Sequence, residues 1–373
     1  MFKKIFYSFL VLVFLFIALI VTINYWPYAK NADQIQYDNV IIFGDSLSDS
    51  APMGVSEQLV GNNYWVRPQG ITSPAGAPIT SLVSTTNRDR LTWVNYFVKA
   101  ISFTTGHHFL GIRRSLGSLN PYYENISYAV ASAETGDNYI DDIASSPWPV
   151  VTGERCKSIS DHNSYSSCVP GLLKQVHMYL QDVKEKPNKK TLFILWAGGN
   201  DFYQNIVKIV GDDKGESLSH PIHNTVKAVK LLMDKGVSAD NIYVLNLPNF
   251  SMVPAITGLV DDNISNSVLR STALTSISLI SKGYNTWLKS DLALSTWGKF
   301  PPSHVFEIDA LFLEVYNNKD NLHGKLGITE PVATTCVDGK KLPLCKGFLF
   351  YNDMHPTTRV HQYLAKQLQS YIE

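Results

Sequence analysis

Apolar positions along the chain alternate between short dense runs and longer, spaced runs. Val40–Phe43, Ser127–Ala131, Thr191–Trp196, Ile242–Leu247 and Val305–Ile308 are compact, bounded by residues that favour turns, and predict strands. Pro248 closes the fourth of them. Between them, Leu91–Ala100, Leu172–Val183, Thr225–Met233, Ser267–Leu288 and Thr357–Ile372 carry apolar residues at helical spacing. Lys235-Gly236 supplies a stop after the third helix. Strands separated by helices imply a mostly parallel sheet covered on both faces, an α/β fold of three layers. Two stretches lack either period: Ala51–Arg90, rich in Pro, Gly and Ser, and Asp141–Pro170. They read as long loops, which in a compact domain are usually functional or disordered. No internal repeat interrupts the pattern.

The first thirty residues depart from it. Lys3 and Lys4 precede an uncharged run from Ile5 to Ile23, 19 residues that suffice to span a bilayer as a helix. Residues 21–31, VTINYWPYAKN, contain no clear small-x-small cleavage site. Residues 1–30 are therefore read as a signal peptide or an N-terminal membrane anchor, and the remainder as exported, either secreted, periplasmic or tethered.

Charge and cysteine content narrow the picture further. Lys plus Arg and Asp plus Glu number 32 each, so no basic surplus points to nucleic acid as a partner. The four cysteines fall into two close pairs, Cys156 with Cys168 and Cys336 with Cys345. Four cysteines allow three connectivities, and in an oxidising compartment the two local loops are the natural ones. A zinc site competes, but the short C-x-x-C spacing is missing.

Chemistry-bearing residues gather where strands end, the edge at which parallel sheets place reactive groups. Phe43-Gly44-Asp45-Ser46-Leu47-Ser48-Asp49 follows the first strand. Gly44 permits a tight turn that would project the Ser46 hydroxyl; a plain helix cap would use the same residue types. It is not the G-x-S-x-G elbow, because position 48 is Ser. Trp196-Ala197-Gly198-Gly199-Asn200-Asp201 closes another strand, where the Asn200 amide could meet an oxyanion or simply form a turn. Asn352-Asp353-Met354-His355-Pro356-Thr357 precedes the last helix, and Ser127–Gly136 lies at the end of a third strand.

In this order and at these positions the blocks resemble those of the SGNH (GDSL) hydrolase family, over most of the chain after residue 38. The likeness includes Thr86-Asn87, Trp93-Val94, Asn246-Leu247-Pro248 and Asp309. It implies a flavodoxin-like domain over residues 35–373 and a serine ester hydrolase that uses no cofactor and no metal. By the same resemblance Ser46 is the nucleophile and His355 the base. Asn200 and the backbone N–H groups of Ser46 and Ser132 form the oxyanion hole. Two departures stand out. Ala131-Ser132 replaces a pair of glycines, and Asn352 occupies the position of the family's aspartate, three before the histidine. Either Asn352 orients His355 without a charge, or a shift lets Asp353 do so. The spacing to His355-Pro356-Thr357 favours Asn352. The layout is most like bacterial lipases, phospholipases A and lysophospholipases, some of them acyltransferases, so a lipid ester and membrane association are expected. The alternatives are a carbohydrate O-acetylesterase and a binding protein that has lost catalysis.

Overall fold

The computed structural model describes residues 37–49, 92–98, 109–111, 125–129, 133–136, 170–210, 216–336 and 345–372. The Ile5–Ile23 run lies outside them. Among the described residues no helix is long and apolar enough to cross a membrane.

Six strands form one sheet: β1 Asn39–Gly44, β2 Phe109–Gly111, β3 Asn125–Ser127, β4 Thr191–Trp196, β5 Ile242–Leu245 and β6 Val305–Phe306. Their order is β2-β3-β1-β4-β5-β6, and every neighbouring pair is parallel. Without the edge strand β2 this is the flavodoxin-like order, with its switch point between β1 and β4. β1 and β4 pair in register from Asn39 with Thr191 to Gly44 with Trp196. All twelve residues of these two strands are buried, as helices on both faces of a parallel sheet require.

The period of two sorts their side chains. Ile41, Phe43, Phe193 and Leu195 face helices Leu172–Asp182 and Ser267–Ser295, while Val40, Ile42, Leu192, Ile194 and Trp196 face segment 93–98 and helix Thr358–Ile372. The three layers expected from the sequence are present. We number the helices α1 93–98, α2 Leu172–Asp182, α3 Gly199–Val210, α4 Glu216–Asp234, α5 Pro254–Asn263, α6 Ser267–Ser295, α7 Ile308–Tyr316, α8 Leu322–Leu326 and α9 Thr358–Ile372.

Several boundaries differ from the expected ones. The strand anticipated at Ser127–Ala131 is Asn125–Ser127, and Tyr128-Ala129 has already left the ladder. The strand anticipated to Leu247 stops at Leu245, where Asn285 takes over the backbone of Leu247, accepting from its N–H at 3.0 Å and donating to its carbonyl at 2.8 Å. α4 begins nine residues before Thr225, at Glu216, and keeps Pro221 within it.

Helix α2 starts at Gly171 without a side-chain cap. Its first free N–H groups, at Leu172 and Leu173, donate instead to the carbonyls of Glu134 and Thr135, at 2.8 and 3.1 Å. Gly171 makes this approach possible: a Cβ there would lie 2.0 Å from the Gly136 oxygen and 2.9 Å from the Glu134 oxygen. Gly171→Ala should therefore destabilise the protein by about 2–3 kcal/mol, the upper part of the overpacking range, because both obstacles are backbone. A shift in the urea midpoint at unchanged m-value measures it; an unshifted midpoint would show that segment 133–136 yields freely.

Candidate active site

The turn after β1 carries Ser46, and the loop before α9 carries His355. The Ser46 Oγ and the His355 Nε2 lie 2.8 Å apart, 309 residues distant in sequence. The His355 Nδ1 lies 2.9 Å from the Asn352 Oδ1. That same oxygen accepts the backbone N–H groups of Met354, at 3.1 Å, and His355, at 2.8 Å. Backbone N–H groups only donate, so they fix which end of the Asn352 amide is oxygen. The Nδ1 must then carry the proton, which leaves Nε2 as the acceptor for the Ser46 hydroxyl.

Of the two residues weighed from sequence, the structure brings Asn352 and not Asp353 to the imidazole. Asp353 is exposed, and its carbonyl accepts the Ala255 N–H at 2.9 Å. The loop is held rigidly. Tyr351 N–H donates to the His355 carbonyl at 2.8 Å, and Cys336 N–H to the Phe350 carbonyl at 3.1 Å. Cys336 and Cys345 form a disulfide. Cys156 and Cys168 lie outside the described residues.

The oxyanion candidates are placed in part. Asn200 opens α3, directly after β4, and donates from Nδ2 to the Ala133 carbonyl at 2.8 Å. The pairing of Gly44 with Trp196 sets the turns carrying Ser46 and Asn200 at the same end of adjacent strands. Ser132 lies outside the described residues. Its neighbour segment 133–136 is tied to the site by Asp201, whose carboxylate accepts the Thr135 hydroxyl at 2.7 Å and the Thr135 N–H at 3.0 Å.

Sequence reasoning missed three supports. Gln175 clasps Gly44, Trp93 donates from its indole to the Ser48 hydroxyl at 3.1 Å, and Thr135 bonds Asp201. Trp93 and Asp201 belong to motifs already noted; a glutamine inside an amphipathic helix carries no such signal.

The electrostatics follow from burial. Ser46, Asn200 and His355 keep some solvent access, whereas Asp45 and Asp201 are buried. Burial pushes the His355 imidazole down to about 4, with no carboxylate beside it to oppose the effect. Burial pushes both Asp45 and Asp201 up to about 7; the Leu47 N–H counters this at Asp45 and the Thr135 hydroxyl at Asp201. A cavity of about 450 Å³ lies beside the Asn352-Asp353 end of the loop that carries His355, its wall formed by Asn352, Asp353, Pro254, Leu259, Asp262 and Thr335 among others; neither Ser46 nor His355 lines it.

A parallel α/β sheet with a serine, an imidazole and an amide donor at its carboxyl edge defines a hydrolase of the serine esterase and lipase type. The GDSL-like lipase/acylhydrolase family model matches residues 40–368, and the chain belongs to that family. No curated protein matches it.

His355 must be neutral to accept a proton. With its folded value held near 4 it stays neutral well below the ordinary imidazole range of about 6.5. The acid limb of kcat/KM for ester hydrolysis should accordingly fall near pH 4–5. Asn352→Asp should raise that limb, since a carboxylate favours imidazolium, and should increase kcat at neutral pH about tenfold, the added worth of a charged over a neutral hydrogen bond. Asp353→Ala should leave both nearly unchanged. An acid limb already at 6.5 in the wild type would contradict the burial effect.

Proposed function

We propose that the protein hydrolyses carboxylic esters through an acyl-enzyme on Ser46, and that its natural substrate is a lipid ester of the phospholipid or lysophospholipid kind. The observation that carries the mechanism is the unbroken line from the Ser46 Oγ to His355 Nε2 and from Nδ1 to the Asn352 oxygen.

In this reading the Ser46 Oγ attacks the ester carbonyl as its proton passes to His355 Nε2. The Asn352 oxygen holds the Nδ1–H throughout, so the ring keeps the correct tautomer and orientation. In chymotrypsin-type proteases, replacing the triad aspartate by asparagine costs about 10⁴-fold because the wrong tautomer is held. Here the backbone N–H groups of Met354 and His355 prevent that inversion, and only the stabilising charge is lost. The tetrahedral oxyanion is received by the backbone N–H of Ser46 and the side chain of Asn200, with the N–H of Ser132 as a third donor. Collapse breaks the ester C–O bond as the His355 Nε2–H passes to the leaving alkoxide. Water, or a second alcohol in an acyltransferase, then attacks the acyl-enzyme with His355 again as base.

Three features support a lipid substrate: the family's lipase and acylhydrolase chemistry, the apolar Ile5–Ile23 run that would export or tether the domain at a membrane, and the exposed Leu259 on the cavity beside Asn352 and Asp353. The carboxylates of Asp262 and Asp353 on the same cavity wall favour a second reading, a polar leaving group such as a sugar in a carbohydrate O-acetylesterase.

Ser46→Ala should reduce ester turnover to background, a loss on the order of 10⁶-fold, with unchanged circular dichroism. A fluorophosphonate should label wild-type protein at Ser46 and leave the variant unlabelled. A screen of p-nitrophenyl esters and phospholipids of graded acyl length separates the readings: activity rising with chain length supports the lipid ester, and acetyl preference supports the sugar ester. An unlabelled, inactive wild type would leave a binding protein on a hydrolase fold.

A further inference from the structure

β1 keeps β4 as its partner to its last residue but loses β3 early. The last β3 pairing is Ile42 with Ser127, and the Tyr128 N–H makes the final ladder bond, to the Ile42 carbonyl at 2.7 Å. Beyond it Tyr128 and Ala129 lie outside the ladder. Gly44, two residues before Ser46, would thus have a buried N–H and C=O without a strand on that side. Both are satisfied by one side chain. Gln175, wholly buried on α2, accepts the Gly44 N–H at 2.8 Å with Oε1 and donates to the Gly44 carbonyl at 2.8 Å with Nε2. Its second N–H goes to the Pro170 carbonyl at 2.9 Å.

We propose that Gln175 is a positioning residue for the nucleophile: its amide replaces the missing strand at Gly44 and fixes the Ser46 turn relative to segment 133–136. The second half of that statement rests on α2 itself. The helix receives Gln175 one turn after Gly171, where its Leu172 and Leu173 N–H groups bind the Glu134 and Thr135 carbonyls. One rigid turn of helix therefore sets two things at once: the backbone leading to Ser46, and the segment that follows the Ser132 donor. Gly44 also packs closely on β4, where a Cβ would lie 2.3 Å from the Trp196 carbonyl oxygen, so the position accepts only glycine. Serine attack and oxyanion capture need their geometry held to within about 1 Å, beyond which about 10²-fold in rate is at risk.

The inference presumes that Ser46 is the nucleophile, and the test keeps the two apart by starting from wild-type labelling. The readouts are the second-order rate of fluorophosphonate reaction per folded molecule, kcat and KM for a p-nitrophenyl ester, and thermal stability. Gln175→Met keeps the shape but neither accepts from nor donates to Gly44 with comparable strength. It should lower the labelling rate and kcat roughly ten- to hundred-fold with KM little changed. Gln175→Glu adds a signature that packing alone would not give. A protonated carboxyl offers one donor and one acceptor, as Gly44 requires, whereas a carboxylate repels the Gly44 carbonyl. Its labelling rate relative to wild type should therefore rise as pH falls from 8 to 5.5, where His355 is still neutral. Wild-type labelling rates in folded Gln175→Met would overturn the proposal. If that variant does not fold, a pH-independent ratio for Gln175→Glu overturns it instead. Absence of labelling in the wild type would strike at Ser46 itself.

Discussion

Parallel strands that diverge leave backbone N–H and C=O groups without ladder partners, and each one buried unpaired costs about 1–3 kcal/mol. The active edge of this protein is built on that constraint. Strands β1 and β4 must separate from their outer neighbours to open a site, yet their last residues are buried. The structure closes the deficit with side-chain amides. At this edge Gln175 takes both backbone groups of Gly44 and Asn285 takes both of Leu247, and at the opposite end of β1 Asn125 accepts the N–H of Val40 at 2.8 Å. An amide is suited to this, since it offers a donor and an acceptor in the geometry of a peptide unit. The splay that creates the site is thus held open by residues far from it in sequence.

The polar groups behind that edge sit in low dielectric, and their titrations oppose one another. His355 and His361 are depressed to about 4 and about 3 by burial. Between those values and about 6.5 the unfolded chain binds more protons at these positions, so their contribution to stability is lost as pH falls. Asp45 and Asp201 are raised to about 7, chiefly by burial. Between about 4 and 7 the folded state holds more protons there, so their contribution is lost as pH rises. Two gains and two losses overlap from about pH 4 to 6.5. Stability in that window is the difference of opposed terms rather than the steep acid loss that buried histidines alone would give.

How much of this was legible in the sequence differs by residue. Thr191–Trp196 is a strand at both expected ends because its apolar run is dense and bounded by a Gly-Gly turn. Leu172–Asp182 follows its amphipathic spacing. The motif order named Ser46, His355 and Asn352, and the structure brings their side chains together. Helices α3, α5 and α7 and the short α8 were not read, the first three each for a local reason. Gly198-Gly199 looks like a loop, but Gly199 begins a helix that continues to Val210. Pro254 looks like a break, but it stands at the first turn of α5, where a missing N–H costs nothing. Ile308–Tyr316 is so apolar that it blends with the strand before it. Gln175 was invisible because its role depends on where β3 stops, and Ser127–Ala131 reads as one strand while the ladder ends at Ser127. Local pattern records what a segment prefers; it does not record where a neighbouring strand departs.

An uncharged group at position 352 is coherent with the rest of this edge. Asp45 is adjacent to Ser46 in sequence, and burial pushes Asp45 and Asp201 up to about 7, with Asp201 adding to the effect at Asp45 and Glu134 at Asp201. An ionised carboxylate at position 352 would stabilise imidazolium and raise the His355 imidazole. Asn352 leaves the imidazole uncharged and keeps the one function that geometry demands, holding the Nδ1–H with an oxygen that two backbone N–H groups have oriented. In the proposed mechanism the consequence is a weaker base, because the imidazolium formed as Ser46 gives up its proton has no counter-charge. The compensation is range: an imidazole that stays neutral down to about pH 4 can accept that proton in acid where a charged triad would already be protonated.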